Sequence, residues 1–92
     1  MITSFKCADT KLLFSGKRVV RFVNIERAAL RKLEQLDLAQ TVDDMRSPPG
    51  NRLEALQGAR AGQWSVRIND QWRVCFRFEH GNALDVEIVD YH

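Results

Sequence analysis

Apolar residues in the first half of the chain recur at three- and four-residue steps, a spacing that predicts helices. The strongest such stripe predicts a main helix over residues 25–38, capped by Asn24. The apolar positions of this helix are Ile25, Ala29, Leu33 and Leu36. A shorter helix is predicted to begin at Asp9 as its cap and to end at Gly16, after a short first strand at residues 2–5. The run Ser47-Pro48-Pro49-Gly50 then ends the helical part.

Beyond Gly50 the apolar period changes to two. Alternation runs through residues 64–68, 72–78 and 84–88, which predicts an antiparallel meander with one apolar face. The preceding helices are the natural cover for that face. The expected fold class is therefore α+β, a small antiparallel sheet with N-terminal helices packed on one face. A chain of 92 residues fits a single domain over residues 1–92.

The register of the first predicted hairpin follows from its apolar faces, because a slip of one residue turns every side chain over. A three-residue loop at Asn69–Gln71 keeps the apolar residues together and sets Arg67 opposite Arg73 on the polar face. Like charges directly across a sheet are destabilising. This cost is understandable if an anion normally lies between the two arginines, so the pair is a candidate phosphate site.

The same rule applies to a second hairpin centred on Gly81. It predicts Phe78 opposite Leu84 and Arg77 opposite Asp85, so Arg77 gains an ordinary structural partner. Arg73 falls opposite Val89, near Tyr91, and gains none. This contrast favours Arg73 over Arg77 as a ligand-binding residue.

Composition places the chain among globular proteins, with 45% hydrophobic and 28% charged residues. No apolar run approaches the roughly 18 residues of a membrane span, and the first residues do not resemble a secretory signal. These features predict a cytoplasmic protein that does not act in a membrane. Two cysteines, Cys7 and Cys75, and two histidines make a zinc site improbable, so neither a metal nor a cofactor is predicted.

The net charge of +2 is too small to indicate a nucleic-acid partner, but the charges are segregated along the chain. Basic residues concentrate between Lys17 and Lys32 and again between Arg46 and Arg77, whereas acids gather in residues 37–44 and 79–90. Such segregation can form a basic face on a nearly neutral protein. A solvated helix face explains the first basic cluster equally well.

The polar face and the carboxy terminus together offer the groups needed to cleave an RNA strand. Attack by the 2′-hydroxyl requires loss of its proton, stabilisation of the phosphorane charge and protonation of the leaving 5′-oxygen. Arg73 and Arg67 are candidates for the charge. Asp90, Tyr91 and His92 are candidates for proton transfer, and the preceding segment adds Glu54 and Arg60. This route needs no metal.

Each of these candidates also has a structural interpretation. Tyr91 could pack at the sheet edge, and His92 could be a frayed last residue. Strict alternation turns Asp90 to the apolar side, and Glu54 could be a solvated strand residue. Trp64 and Trp72 belong to the apolar set and are predicted to be core residues rather than stacking platforms for bases.

Three segments of the chain resemble the HigB branch of the RelE-like toxins, the toxic halves of bacterial type II toxin–antitoxin pairs. They are Pro48-Pro49-Gly50-Asn51-Arg52-Leu53-Glu54-Ala55-Leu56, Ile68-Asn69-Asp70-Gln71-Trp72-Arg73-Val74-Cys75-Phe76 and Val86-Glu87-Ile88-Val89-Asp90-Tyr91-His92. The resemblance implies a ribosome-dependent endonuclease that cuts mRNA. It also implies a HigA-like antitoxin of the helix-turn-helix type, through which alone the toxin would contact operator DNA.

The resemblance also implies roles for individual residues. Arg73 would stabilise the phosphate, and the terminal acid, phenol and imidazole match the family's catalytic ending. The resemblance makes the basic segment from Lys17 to Lys32 suited to ribosomal RNA. With the register argument, the residues predicted to contact RNA or phosphate are Arg67, Arg60, Arg52, Lys17 and Arg18. This chain departs from well-studied members at Glu54, where they carry a histidine, and at Gln57-Gly58-Ala59-Arg60, where a frequent Lys-Gly-Asp-Arg loses one cation and one acid.

Two other functions fit the same sequence. A toxin of the same fold without nuclease activity could poison DNA gyrase, with the basic face binding a protein target. A noncatalytic ribosome- or RNA-binding module is the other alternative, suggested by the missing histidine and lysine. The endonuclease is the preferred interpretation.

Overall fold

The computed structural model describes residues 1–90 and confirms the predicted α+β class. Helices α1 (Ala8–Phe14) and α2 (Glu26–Leu38) come first, and the sheet follows them; short 3₁₀ turns lie between the helices, before the sheet and after its first strand. The strands are β1 (Glu54–Ala55), β2 (Trp64–Arg67), β3 (Trp72–Glu79) and β4 (Asn82–Asp90). They pair antiparallel in the order β1-β2-β3-β4.

Helix α2 covers the apolar face of the sheet, as the sequence predicts. The stripe residues Ala29, Leu33 and Leu36 are fully buried and share one core cluster with Val74 and Ile88 of the sheet. This shared core is what fixes the helix on one face and leaves the opposite face of the sheet for other contacts.

The predicted helix caps are wrong by one or two residues. Helix α2 begins after Ile25 rather than Asn24, and α1 begins after Cys7 rather than Asp9, with no side-chain cap hydrogen bond at either. Ile25 is buried in the core, so packing rather than capping sets the start of α2. Asp9 lies instead within the first turn of α1, where it pairs with Arg21 at 3.0 Å.

The first hairpin has the predicted register. Arg67 is paired with Arg73, and Val66 with Val74. The side chain of Asn69 fixes the loop, because its Oδ1 accepts hydrogen bonds from the backbone N–H of residues 71 and 72, both at 2.8 Å. This is the local side-chain bonding for which asparagine is favoured in turns.

The second hairpin differs from the prediction near its turn. Its loop has two residues, His80 (φ 52°) and Gly81 (φ 79°), so Phe78 pairs with Ala83 rather than Leu84, and Arg77 pairs with Leu84 rather than Asp85. Positive φ at both loop positions suits a two-residue hairpin turn.

A β-bulge between the turn and the far end of this hairpin restores the predicted register. The shift falls between Cys75 and Arg77, close to Asp85, whose φ is 52°. Beyond the bulge Arg73 lies opposite Val89, as predicted. Arg77 and Asp85 still form the predicted ion pair, at 3.5 Å, although they are not paired residues.

The predicted first strand is reduced to two isolated bridges. Ile2 bridges to Ala83 and Phe5 to Val86, both in parallel orientation on the outer side of β4. Trp72 packs edge-on against the ring of Phe22 at 5.5 Å between centroids, which confirms its place with the core residues.

Candidate active site on the polar face of the sheet

The centre of the polar face of the sheet, opposite α2, is buried, whereas its margins are open to solvent. Ser65 and Cys75 are fully buried there, and Arg73 is only 7% exposed. The chain after β1 lies against this face, since Arg60 forms an ion pair with Glu87 of β4 at 2.9 Å. A polar surface so enclosed must satisfy its own hydrogen bonds.

The guanidinium of Arg73 is held at the centre of this face by several acceptors. Its Nε donates to Ser65 Oγ at 2.9 Å, and its Nη2 donates to the carbonyl oxygen of Arg52 at 2.7 Å. The same Nη2 lies 3.6 Å from Oε1 of Glu54. The expectation that Arg73 has no structural partner is therefore wrong. Cross-strand pairing alone cannot reveal these acceptors, which lie diagonally on β2 and in the chain just before β1.

Arg67 and Arg73 do face each other across the β2–β3 ribbon, yet each has its own carboxylate. Arg67 donates a hydrogen bond to Asp70 in the hairpin loop, while Arg73 lies beside Glu54. Two carboxylates therefore offset the repulsion between the guanidinium groups, and a bound anion is not required to explain the pairing.

Glu54 lies at the exposed edge of this cluster. It is the first residue of β1, paired with Ser65, and its side chain is 53% exposed. A carboxylate that is open to solvent on one side and close to a buried cation on the other can accept a proton from a substrate bound between them. This position supplies the chain with a candidate general base.

The other predicted phosphate-binding residues are dispersed. Arg60 is engaged by Glu87 and by Gln63 Oε1 at 3.1 Å. Arg52 is exposed, and its main-chain carbonyl rather than its side chain contacts Arg73. Lys17 and Arg18 lie in the exposed segment after α1, where Arg18 approaches Glu26 at 4.0 Å. Within residues 1–90, no hydrogen bond or ion pair joins this segment to the Arg73 cluster.

Asp90 lies at the end of β4 and is exposed. It is opposite Trp72, so it shares the face of that residue rather than that of Arg73, and its Oδ2 accepts a hydrogen bond from Gln71 Nε2 at 3.1 Å. Strict alternation along this strand predicts the same placement. The predicted proton-transfer residues Tyr91 and His92 lie outside the described residues.

Cys75 forms part of the floor of the cluster, two residues along β3 from Arg73. Burial raises the pKa of its thiol, against the opposing influence of the nearby Arg60 guanidinium. Cys75 is thus a neutral packing group in the folded protein. Among residues 1–90, no three histidine, cysteine, aspartate or glutamate side chains are arranged to hold a metal ion.

Comparison with protein families identifies the group to which this fold and cluster belong. The family model described as the RelE-like toxin of type II toxin–antitoxin system HigB matches residues 13–92. The chain belongs to this family. The match includes the end of α1, all of α2 and every strand, so the assignment made from the three sequence segments is confirmed, and membership implies an antitoxin partner.

Individual relatives agree with the family. Toxin HigB-1 of Vibrio cholerae is 50% identical over 62 residues, which are 67% of this chain and 65% of that toxin, just under two thirds of its length. Endoribonuclease HigB of Proteus vulgaris is 35% identical over 95 residues, which cover 100% of both chains. The name of this second relative supports the enzyme class predicted for the HigB-family chain.

A solved structure supports the fold independently. The YoeB–YefM toxin–antitoxin complex from Staphylococcus aureus matches 100% of this chain and 98% of its own chain, with a TM-score of 0.58 and 14% identity. At that identity the likeness concerns the fold. Within residues 1–90 of the HigB-family chain, no helix is both long and apolar enough to cross a membrane.

Ser65 is the site residue that sequence reasoning missed. It lies between two apolar neighbours on β2, on the same face as Arg67, and the predicted register already places it diagonally across from Arg73. A small hydroxyl side chain on a face with a buried arginine is the signal that could have identified it. Its oxygen fixes the orientation of the guanidinium.

Proposed function

We propose that this HigB-family toxin is a ribosome-dependent endoribonuclease that cuts mRNA in the cytoplasm. The observation that carries the proposal is the buried Arg73 guanidinium, oriented by Ser65 and lying 3.6 Å from the exposed carboxylate of Glu54. A fixed cation beside a proton acceptor supplies two of the three requirements for strand cleavage. The Proteus vulgaris relative, named an endoribonuclease, supports the same activity.

In the proposed reaction the 2′-hydroxyl of the substrate loses its proton to Glu54 while its oxygen attacks the adjacent phosphorus. Arg73 stabilises the negative charge that develops on the phosphorane oxygens. The bond to the 5′-oxygen then breaks, and that oxygen takes a proton from the carboxy-terminal segment. Tyr91 and His92 are the candidates for this acid, since Asp90 lies on the face of Trp72 rather than that of Arg73. The products are a 2′,3′-cyclic phosphate and a 5′-hydroxyl, and no metal takes part.

The environment of Arg73 suits this role because its orientation is established before substrate arrives. Hydrogen bonds to Ser65 and to the Arg52 carbonyl fix two of its nitrogen atoms. Donors that do not need to reorganise stabilise charge far better than mobile ones, particularly where water is excluded. Arg67, across the ribbon, and the exposed side chain of Arg52 would add positive charge along the path of the RNA.

The proposal includes the partners of the protein. A HigA-like helix-turn-helix antitoxin would neutralise the toxin and would provide the only contact with operator DNA. The ribosome would present the message, and the exposed Lys17–Arg18 segment would contact phosphates of ribosomal RNA. Co-expression of the neighbouring open reading frame should restore growth if it encodes this antitoxin.

The test is induction of the toxin in cells, followed by primer extension on translated messages. We expect growth arrest and new RNA ends with the original protein. Arg73→Ala should reduce cleavage by about 10²–10³-fold, as loss of a charge-stabilising donor does in other enzymes. Glu54→Gln should reduce it by roughly 10²-fold, the low end for general-base catalysis.

Arg46→Gln is the matched control, because it also removes one positive charge but lies on an exposed 3₁₀ turn beside Asp43. It should leave cleavage unchanged. Undiminished cleavage by Arg73→Ala, with its fold verified by circular dichroism, would refute the assignment. Growth arrest without new RNA ends would favour the alternatives, which gyrase supercoiling and ribosome sedimentation assays separate.

A further inference from the structure

An open cleft of about 420 Å³ lies between helix α2, the Pro48 segment before β1 and the end of β2. Its volume falls within the range of about 300–1,000 Å³ that is typical of small-ligand sites. The cleft is lined by Ala28, Arg31, Lys32, Gln35, Pro48 and Ile68. None of these residues belongs to the Arg73 cluster, so the cleft is separate from the proposed catalytic groups.

The wall formed by α2 carries two adjacent cations. Within residues 1–90, neither Arg31 nor Lys32 forms an ion pair with a carboxylate. Lys32 donates a hydrogen bond to the neutral side chain of Asn51. Burial lowers the pKa of Lys32, and the neighbouring Arg31 lowers it further. Because no carboxylate among residues 1–90 pairs with Arg31 or Lys32, the positive charge of this wall is not neutralised there, and a bound anion would be stabilised.

The remaining lining is apolar apart from Gln35. Ala28, Pro48 and Ile68 provide a hydrocarbon surface facing the cleft. Gln35 is held in place, since its Nε2 donates to Ser47 O at 2.6 Å and its Oε1 accepts from Asn51 Nδ2 at 3.1 Å. A preformed apolar wall beside cations suits a ligand that has both a flat ring and a negative charge.

The cleft borders the Arg73 cluster at two points in the chain. Asn51, which binds Lys32, directly precedes Arg52, whose carbonyl holds Arg73. Ile68 directly follows Arg67 at the end of β2. Side chains alternate along a strand, so Ile68 faces α2 while Arg67 and Arg73 face the other side of the sheet. The cleft and the Arg73 cluster therefore meet at the edge of the sheet, and a strand of RNA lying over Arg67 and Arg73 would enter the cleft by passing around that edge.

We propose that this cleft is a nucleotide subsite for RNA, in which Arg31 and Lys32 bind a backbone phosphate and the apolar wall contacts a base next to the scissile linkage. This subsite rests on the proposed endonuclease function and deepens it. Arginine and lysine together recognise phosphate, while the face of any base can pack against an apolar surface. The subsite would hold the message in position without taking part in proton transfer.

Two substitutions separate the phosphate contact from the base contact. Arg31→Gln removes a charge at an exposed position of α2, and Ala28→Leu fills the apolar wall without changing charge. The measurement is binding of a fluorescent single-stranded RNA hexanucleotide to the full chain by anisotropy over a range of salt concentrations. Arg46→Gln is again the charge-matched control.

For Arg31→Gln, we expect the slope of log affinity against log salt to fall by about 0.7, the value for one phosphate contact to a single strand. For Ala28→Leu, the slope should stay unchanged while binding weakens roughly fivefold, near the low end of what a stacked base contributes. Removing the base at the bound position of the RNA should weaken binding to the original protein by the same factor as Ala28→Leu does. It should not weaken binding to the Ala28→Leu variant any further. Arg46→Gln should match the original protein.

The subsite is refuted if Arg31→Gln keeps the original salt slope, or if the abasic effect persists in full in Ala28→Leu. Loss of antitoxin binding by both variants with unchanged RNA binding would show that the cleft docks protein instead. The cleavage activity of Arg73→Ala shows whether the subsite alone or the proposed endonuclease function is wrong. If Arg73→Ala abolishes cleavage while both cleft variants bind RNA normally, only the subsite is wrong.

Discussion

The two faces of the sheet are both buried at their centres, but they are buried by different means. On the face toward α2, Leu33 and Phe76 pack in a continuous hydrocarbon core. At the centre of the opposite face Ser65 and Cys75 are just as inaccessible, yet the third buried residue there is Arg73, whose guanidinium donates a hydrogen bond to Ser65. One face is stabilised by the burial of apolar side chains, whereas the other depends on buried polar groups that are hydrogen-bonded to one another.

This difference separates residues that maintain the fold from residues that form a site. Burial of a charged group costs free energy unless hydrogen bonds and an opposite charge compensate it, and well-packed apolar residues often do as well or better. Stability alone therefore gives little reason to keep Arg73 on the polar face. Its retention with Ser65 and Glu54 around it is what a binding or catalytic cluster would require.

The largest effect should come from the apolar face. Leu33→Ala deletes a fully buried side chain from the centre of α2, and we expect a loss of about 2–5 kcal/mol in the free energy of unfolding because a cavity remains. Urea denaturation followed by circular dichroism measures it. Leu38→Ala, on the same helix but 80% exposed, should change stability by less than about 0.5 kcal/mol. Similar losses in both variants would contradict the assignment of the core.

A smaller effect is expected on the polar face at Ser65. Ser65→Ala leaves the Nε–H of buried Arg73 without its acceptor, which should cost about 1–3 kcal/mol. Cleavage should also fall, chiefly in kcat, because the guanidinium is no longer held in one orientation. Ser65→Thr keeps the hydroxyl and should recover part of the activity. Full activity in Ser65→Ala would show that Arg73 does not need this hydrogen bond.

Glu54, at the exposed edge of the same face, should matter much more for activity than for stability. Glu54 is half exposed, so its attraction to Arg73 is screened, and Glu54→Gln should change the free energy of unfolding by less than about 1 kcal/mol. The same substitution is expected to lower cleavage about a hundredfold. A large loss of stability with little loss of cleavage would reverse the proposed role.

The reactivities of the two cysteines can be compared without any effect on stability, because thiol labelling needs no mutation. Burial raises the pKa of Cys75, whereas at Cys7 burial is outweighed by hydrogen bonds from Thr10, Asp9 and Arg21, so its pKa is lowered. Iodoacetamide should therefore modify Cys7 at a lower pH than an ordinary thiol, and Cys75 only after unfolding. Mass spectrometry of digested protein identifies the site. Rapid labelling of Cys75 in the native protein would show that the polar face opens.

The sequence predicted the parts of this fold that depend on periodicity. The α2 stripe and the pairing of Arg67 with Arg73 follow from where apolar residues must face, and both are found. Near the second turn the prediction failed because His80 and Asp85 take positive φ. Single residues in the left-handed region leave almost no trace in a pattern of apolar and polar positions.

The candidate site was predicted only in outline. Face alternation placed Arg73 correctly, but its acceptors depend on a main-chain carbonyl and on the approach of β1, neither of which a side-chain pattern describes. The expectation of an unpaired Arg73 failed for that reason. The roles assigned to Glu54 and to the carboxy-terminal residues remain predictions.

The acceptor that Arg52 offers to Arg73 is a backbone atom, in a residue with φ 46° and ψ 56°. A mutational scan read out by protein abundance should therefore favour glycine, asparagine and aspartate at this position, which tolerate that conformation, and reject proline. A parallel scan read out by toxicity should add a preference for positive charge if the side chain touches RNA. Comparing the two tolerance profiles would separate what the main chain and the side chain of one residue each contribute.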